Sequence, residues 1–259
     1  MKKVHIVLVH LATAICILSC HKDIDLSNTK SEVQGTPLPG QITYCRIESI
    51  WQKQLGTIDE RYHLILYDEF ENPVAITFPV VITGSPYLVF KYDQWHRLKE
   101  YLGIYSNGSG YEFRHLYGYD LHGRIGVDTM YVLGNLATGY FDHRQISEIQ
   151  YDNQNRISKI HSVINIPNVS FEQDFNYDNA GNLVKPGISY DSKTSILRTN
   201  DIWMFLARDY SVNNAFIAQE YNAMGFPTKI HVRNSLSFIG ASIFLDNSEI
   251  SYGCRQAYW

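Results

Sequence analysis

The stretch EIQYDNQNRISKI, residues 148–160, reads as two strands joined by a tight turn. Glu148 to Tyr151 alternates in character, Asp152 to Arg156 is rich in turn formers, and Ile157 restarts an alternating run. The pattern recurs as YDEFENPVAI from Tyr67, YDQWHRLKEY from Tyr92, YDLHGRI from Tyr119, YDNAGNLVK from Tyr177 and YNAMGFPTKI from Tyr221. Each Tyr is followed by Asp (Asp68, Asp93, Asp120, Asp152, Asp178) or, in the last window, by Asn222. Four positions after Tyr stand Glu71, His96, Gly123, Asn155, Gly181 and Gly225. Two positions later an apolar or Pro residue resumes the strand: Pro73, Leu98, Ile125, Ile157, Leu183 and Pro227.

Turn geometry explains this grammar. A three-residue hairpin loop is a type I turn followed by one residue in the left-handed region. Gly enters that region freely, and Asn, Asp and His tolerate it best among the rest. Glu71 departs from this rule, and a one-residue slip that gives the role to Asn72 is the expectation there. The Asp side chain can accept from backbone N–H groups downstream and so start the turn. Two residues before each Tyr, on the same strand face, sit Ile65, Phe90, Tyr117, Ile149 and Phe175, with Gln219 breaking the series. One face of a sheet is therefore expected to carry a continuous apolar band.

A second set of turn signals, Gly84-Ser85-Pro86, Asn107-Gly108-Ser109-Gly110 and Pro167-Asn168, falls between the windows and marks the opposite edge. Successive tyrosines lie 25, 27, 32, 26 and then 44 residues apart. Two strands of about eight residues plus two loops account for the shorter spacings. The fold class is thus all-β, an antiparallel meander of repeated hairpins forming a long twisted or curled sheet. The final jump marks an insertion at about 189–216. Asn200 or Asp201 would cap a short helix in it, with Ile202, Trp203, Phe205 and Leu206 on one side. Such a helix reads as a plug over the apolar band, since a single sheet must bury that face; a binding element or lid is the other reading.

The composition agrees. Of 259 residues 45% are hydrophobic, enough for a core, and 19 are Tyr, which suits a pleated, half-buried surface. A net charge of -4 without a Lys/Arg stripe leaves no nucleic-acid footprint. Lys2 and Lys3 followed by the apolar run Val4 to Leu18 form an export-signal pattern, too short for a span of about 20 residues. Residues 1–19 are read as signal, residues 20–40 as a flexible Pro- and Gly-containing tether, and 41–259 as the β domain.

Four cysteines are present. Cys16 leaves with the signal. Cys45 and Cys254 lie in the first and last strand-like runs, and a disulfide between them would join the ends of the domain. Two buried free thiols are the preferred reading, since sequence does not show that the Cβ atoms meet.

Ile17-Leu18-Ser19-Cys20 resembles a bacterial lipobox, in which cleavage before Cys20 exposes a thiol that takes lipid. Leu18 is bulkier than usual at its position. The acidic cluster after Cys20 looks like the surface-export signal of Bacteroidota lipoproteins, or equally like a solvated tether. The repeated windows resemble the YD repeat of RHS-type proteins over about residues 60–235. The order of parts is similar to a group of Bacteroidota lipoproteins with YD-like hairpins, a Tyr-Asp-x-Lys insertion ending in Asn-Asn (Tyr190 to Lys193 through Asn213-Asn214) and a final YN-x-x-G-F-P copy. This resemblance implies a long antiparallel ribbon and an outer-membrane lipoprotein of the cell envelope. In large relatives such ribbons form shells around toxins; this chain is far too short, so that role does not carry over.

The sequence holds no HExxH, P-loop, GxSxG, CxxC or dinucleotide glycine pattern, so no cofactor, metal or catalytic set is assigned. His161 and His231, each after Lys-Ile, read as sheet-surface residues. The repeated aspartates line one edge about 9.6 Å apart, at about 4.8 Å per strand. A calcium ion needs oxygens at about 2.3–2.6 Å, so these carboxylates do not share one. An acid–base pair at about 6.5–9.5 Å would make every repeat a glycosidase. The expected role is therefore a membrane-tethered, non-enzymatic binding or scaffold module with a glycan or protein ligand, using Tyr, Trp95 and His side chains. The alternative is a glycan-directed envelope enzyme with its site in the 189–216 insertion or in an irregular loop at 126–145.

Overall fold

The computed structural model describes residues 41–53, 60–78, 81, 85–165, 168–231, 237–239 and 243–258. The signal, Cys20 and the tether lie outside the described residues, as do Gly84 and Pro167 of the expected far-edge turns. No described helix is long and apolar enough to cross a membrane.

Residues 40–259 form one compact unit. Its centre is a 13-stranded antiparallel sheet. In chain order the strands are β1 (Gln41–Lys53), β2 (Glu60–Tyr67), β3 (Pro73–Thr77), β4 (Tyr87–Tyr92), β5 (Leu98–Ile104), β6 (Gly110–Tyr119), β7 (Ile125–Asn135) and β8 (Phe141–Tyr151). There follow β9 (Ile157–Asn165), β10 (Asn168–Asp174), β11 (Glu220–Tyr221), β12 (Pro227–Ile230), β13 (Ser237–Ile239), β14 (Ile243–Phe244) and β15 (Ser248–Tyr258). The sheet runs β10 back to β1 in unbroken meander order, then β15, β12 and β11. Among the described residues it is not closed by backbone pairing, and β10 and β11 are its edges. The 126–145 segment is not an irregular loop: β7 and β8 pair along most of it, with a turn between Asn135 and Tyr140. Val127, Thr129, Tyr131 and Val132 give that segment strand propensity despite its weak alternation.

All five apolar residues two places before the repeat tyrosines are buried: Ile65, Phe90, Tyr117, Ile149 and Phe175. So are Leu98, Ile125, Ile157 and Leu183, which restart the strands. The apolar band is therefore real, and the insertion covers it. A 3-10 turn (Ile196–Thr199) leads into α1 (Asp201–Ala207), whose N-cap is Asn200, its side chain accepting from the Ile202 N–H. Trp203 is fully buried, 5.8 Å from the Phe90 ring, and Phe205 meets Tyr117 edge-on at 5.4 Å. Phe238 of β13 lies 5.6 Å from Trp203. Sheet, helix and the β13–β14 pair thus share one core, the layered burial that a one-sided sheet requires.

The first and last strands meet inside the sheet, with β12 and β11 beyond β15. β1 and β15 pair from Gln41↔Tyr258 to Gln52↔Ser248, and Cys45 and Cys254 form a disulfide. The free-thiol reading is thus corrected. Register decides the matter: Cys45 and Cys254 are direct cross-strand partners, and register between the chain's ends is a tertiary fact.

Candidate functional site

All six repeat turns share one construction. Glu71, His96, Gly123, Asn155, Gly181 and Gly225 have φ between 59° and 82°. No slip to Asn72 occurs at the first copy: Glu71 itself takes the left-handed position, at φ 63°. Its carboxylate explains this, since it binds both Arg46 and Arg255 and ties the first repeat to the terminal strands. In each copy one Asp or Asn oxygen accepts from two backbone N–H groups. Asp152, for example, receives those of Gln154 at 2.9 Å and Arg156 at 3.0 Å, and Asn222 those of Met224 and Phe226. The second oxygen of Asp93, Asp120 and Asp152 accepts from the Nε of Arg97, Arg124 and Arg156. Desolvation opposes the charge on these three carboxyls, but the N–H and guanidinium donors outweigh it and hold them below the usual carboxylate range.

Each repeat is also clamped to the one before it. The hydroxyls of Tyr92, Tyr119 and Tyr151 donate to the carbonyls of Pro73, Leu98 and Ile125, the restart residues of the preceding copies. Arg97, Arg124 and Arg156 lie 4.2, 4.6 and 4.0 Å from the ring centroids of Tyr119, Tyr151 and Tyr177, the next copies' tyrosines. Burial pushes the Tyr119 and Tyr151 phenols up to about 12, which keeps them donors. Tyr177 departs from the rule: it lies beside the Tyr210 backbone, and its hydroxyl makes no hydrogen bond of good geometry.

Two further copies follow the same rules without the full sequence signature. Tyr190 donates to the Leu183 carbonyl, as a repeat tyrosine should. Asp191 receives the Asn214 N–H and Nδ2 at 3.0 Å each, while its own N–H donates to the Asn214 carbonyl. Asp68 and Asn72 make the same three contacts. Residues 192–213, with α1 among them, therefore occupy the place of residues 69–71: the insertion is a repeat opened at its turn. The other hidden copy is made by the chain ends. Tyr252 pairs with Ile47 as Tyr67 pairs with Pro73, and Tyr252 donates to the Pro227 carbonyl. Arg46 precedes Ile47 as Arg97 precedes Leu98, and it sits 4.8 Å from the ring of Tyr67, which donates to the Ile47 carbonyl. The disulfide stands where the turn would be. Tyr221 completes the circuit by donating to Asp191. The turn end is thus a closed ring of eight units, although the sheet is open.

Inside this rim, between the turns of the first five copies and the insertion, lies an open cleft of about 1000 Å³. The left-handed residues of all five copies line it, together with Arg97, Arg124, Arg156, Arg198 and Tyr210. The repeat aspartates hold the turns that shape this rim, and Trp95, 64% exposed, stacks on Arg97 at 4.8 Å. His161 and His231 lie on the surface, near Glu172 and Asn247 respectively. Among the described residues no group of three or more His, Cys, Asp or Glu is placed to hold a metal ion.

A second polar cluster, missed in the sequence, lies where the insertion meets β6 and β7. Asp128 is 3% exposed and binds His115 Nδ1 at 2.8 Å and Arg208 at 2.6 Å. Arg208 caps α1 in the left-handed conformation, so the chain leaving the helix is held down by this contact. Burial opposes ionisation of Asp128, but His115 and then Arg208 overcome it and lower its pKa. Nothing local in the sequence links residues 115, 128 and 208. No protein-family model and no characterised protein matches the chain.

Proposed function

We propose that this protein is a lipid-anchored binding module of the bacterial cell envelope, with Cys20 as the lipidated residue and the rim cleft as the binding surface. The cleft carries the reading: pre-positioned guanidinium planes, tyrosines and exposed turn residues converge on a concave space large enough for a ligand. The repeat carboxylates are each engaged by two N–H groups of their own turn, which suits positioning rather than proton transfer. Resemblance to YD-repeat lipoproteins supports the envelope location.

Protease shaving of intact cells tests the anchor and its face. Digestion of the wild-type chain on intact cells indicates surface display, and protection indicates the periplasmic face. Cys20→Ala is expected to leave the membrane fraction; retention of that variant there refutes the lipid assignment. A second reading, a glycan-directed enzyme, draws on the His115–Asp128 contact, a geometry that orients an imidazole as a general base. The simultaneous grip of Asp128 on Arg208 favours a fastening role for the insertion.

A further inference from the structure

Resting on the binding-module reading, we infer that the rim cleft takes an uncharged oligosaccharide chain lying across several successive turns.

The first observation is backbone strain. Glycine is the natural occupant of the left-handed position, yet three of the five copies that line the cleft carry another residue there. A non-glycine residue enters that region at a conformational cost, smallest for Asn, Asp and His, and such positions cluster where a side chain is needed. Glu71 is accounted for by Arg46 and Arg255. His96 and Asn155 have no comparable structural duty. His96 is exposed and stacks on Phe70 at 3.8 Å, and Asn155 is exposed and accepts from Arg124 at 3.1 Å. Both place polar groups in the cleft at a local conformational cost.

The second observation is charge. Arg97, Arg124 and Arg156 are each balanced by the aspartate of their own turn, and Glu71 is met by arginines. Arg198 and Asp201 add one charge of each sign. The cleft is thus rich in donors and acceptors but close to electroneutral. That composition suits hydroxyl groups, which both donate and accept, better than a polyanion, whose charge would compete with the resident carboxylates. A guanidinium has five donors, and those not engaged by the aspartate remain for ligand oxygens. Phe70, 54% exposed beside His96, offers an apolar face for the C–H side of a sugar ring. The third observation is periodicity. Turns recur every second strand, about 9.6 Å apart, so similar groups are presented repeatedly along the rim to a repetitive chain.

The test is isothermal titration calorimetry of the full chain in detergent. The probes are uncharged hexasaccharides (malto-, cello-, xylo- and chito-oligosaccharides) and an acidic control, oligogalacturonate. Binding of at least one uncharged probe is expected, weakened at least tenfold in His96→Gly/Asn155→Gly. The same variant is expected to unfold no earlier than wild type, because glycine relieves both turns. A structural role alone would lower stability and leave affinity intact. No uncharged probe binding, or preference for oligogalacturonate, overturns the ligand class. Binding that ignores the double substitution overturns the location. Failure of these arms leaves the membrane anchor to the shaving experiment, so the two readings fail separately.

Discussion

Replacing both cysteines, in Cys45→Ala/Cys254→Ala, separates what the disulfide does from what the strands do. The bond closes a loop with a sequence separation of 209. Loop-closure entropy for that length gives about 5 kcal/mol of stabilisation at 25 °C, and measured losses for native disulfides run about 2–5 kcal/mol. Most of this effect resides in the unfolded chain. In the folded state β1 and β15 stay paired along their length, Ser49 and Ser251 bond through their hydroxyls, and Arg46 remains on Glu71. The variant should therefore keep a native circular-dichroism spectrum while its urea midpoint falls by about 0.7–1.7 M, for a slope of about 3 kcal/mol/M. A circular permutant sharpens the reasoning. Joining the chain ends through an Asp and a three-residue turn between Tyr252 and Arg46, and opening the chain at Asn107-Gly108, should recover most of the loss without cysteines. A destabilisation under about 1 kcal/mol, or a permutant that does not fold, refutes the view that the termini form a turnless repeat.

The repeat turns can be dissected at Asp152. Asp152→Asn keeps the acceptor for Gln154 and Arg156, as Asn222 does naturally, and should cost about 1 kcal/mol, whereas Asp152→Ala should cost about 2–3 kcal/mol by chemical denaturation. Asp128→Asn leaves Arg208 partly buried against an uncharged group, and a loss of about 3–5 kcal/mol is expected in the same assay. Because the folded pKa of Asp128 is lowered, its contribution is present above the ordinary aspartate value of about 3.9 and is lost as pH falls through the folded value; Asp128→Asn should flatten that acid limb. His63 behaves differently. Burial, then the charge of Arg61, lowers its pKa to about 4, so the unfolded chain binds its proton first and stability falls between pH 6.5 and 4 by up to about 3 kcal/mol. His63→Gln should remove that slope in urea titrations across this range, and an unchanged slope would contradict a neutral buried imidazole.

The local rules are legible within short windows of the chain. Tyr-Asp and the residue three places beyond Asp specify a hairpin because a single φ/ψ region must be entered, and that requirement acts within five residues. Apolar residues two places before five of the six tyrosines specified the buried face for the same short-range reason, the twofold periodicity of a strand. Asn200 as a helix cap was likewise legible. The Tyr190-Asp191 dipeptide was visible too, yet its turn closes on Asn214, beyond the reach of any local grammar. Tertiary structure alone decided that Glu71 keeps the strained turn position, since the arginines that hold it come from the two ends of the chain. It also decided the Cys45–Cys254 bond, the Asp128 cluster and the linkage of the eight units into a ring. Each depends on register between segments distant in sequence, and register is set by packing of the whole sheet rather than by neighbouring residues.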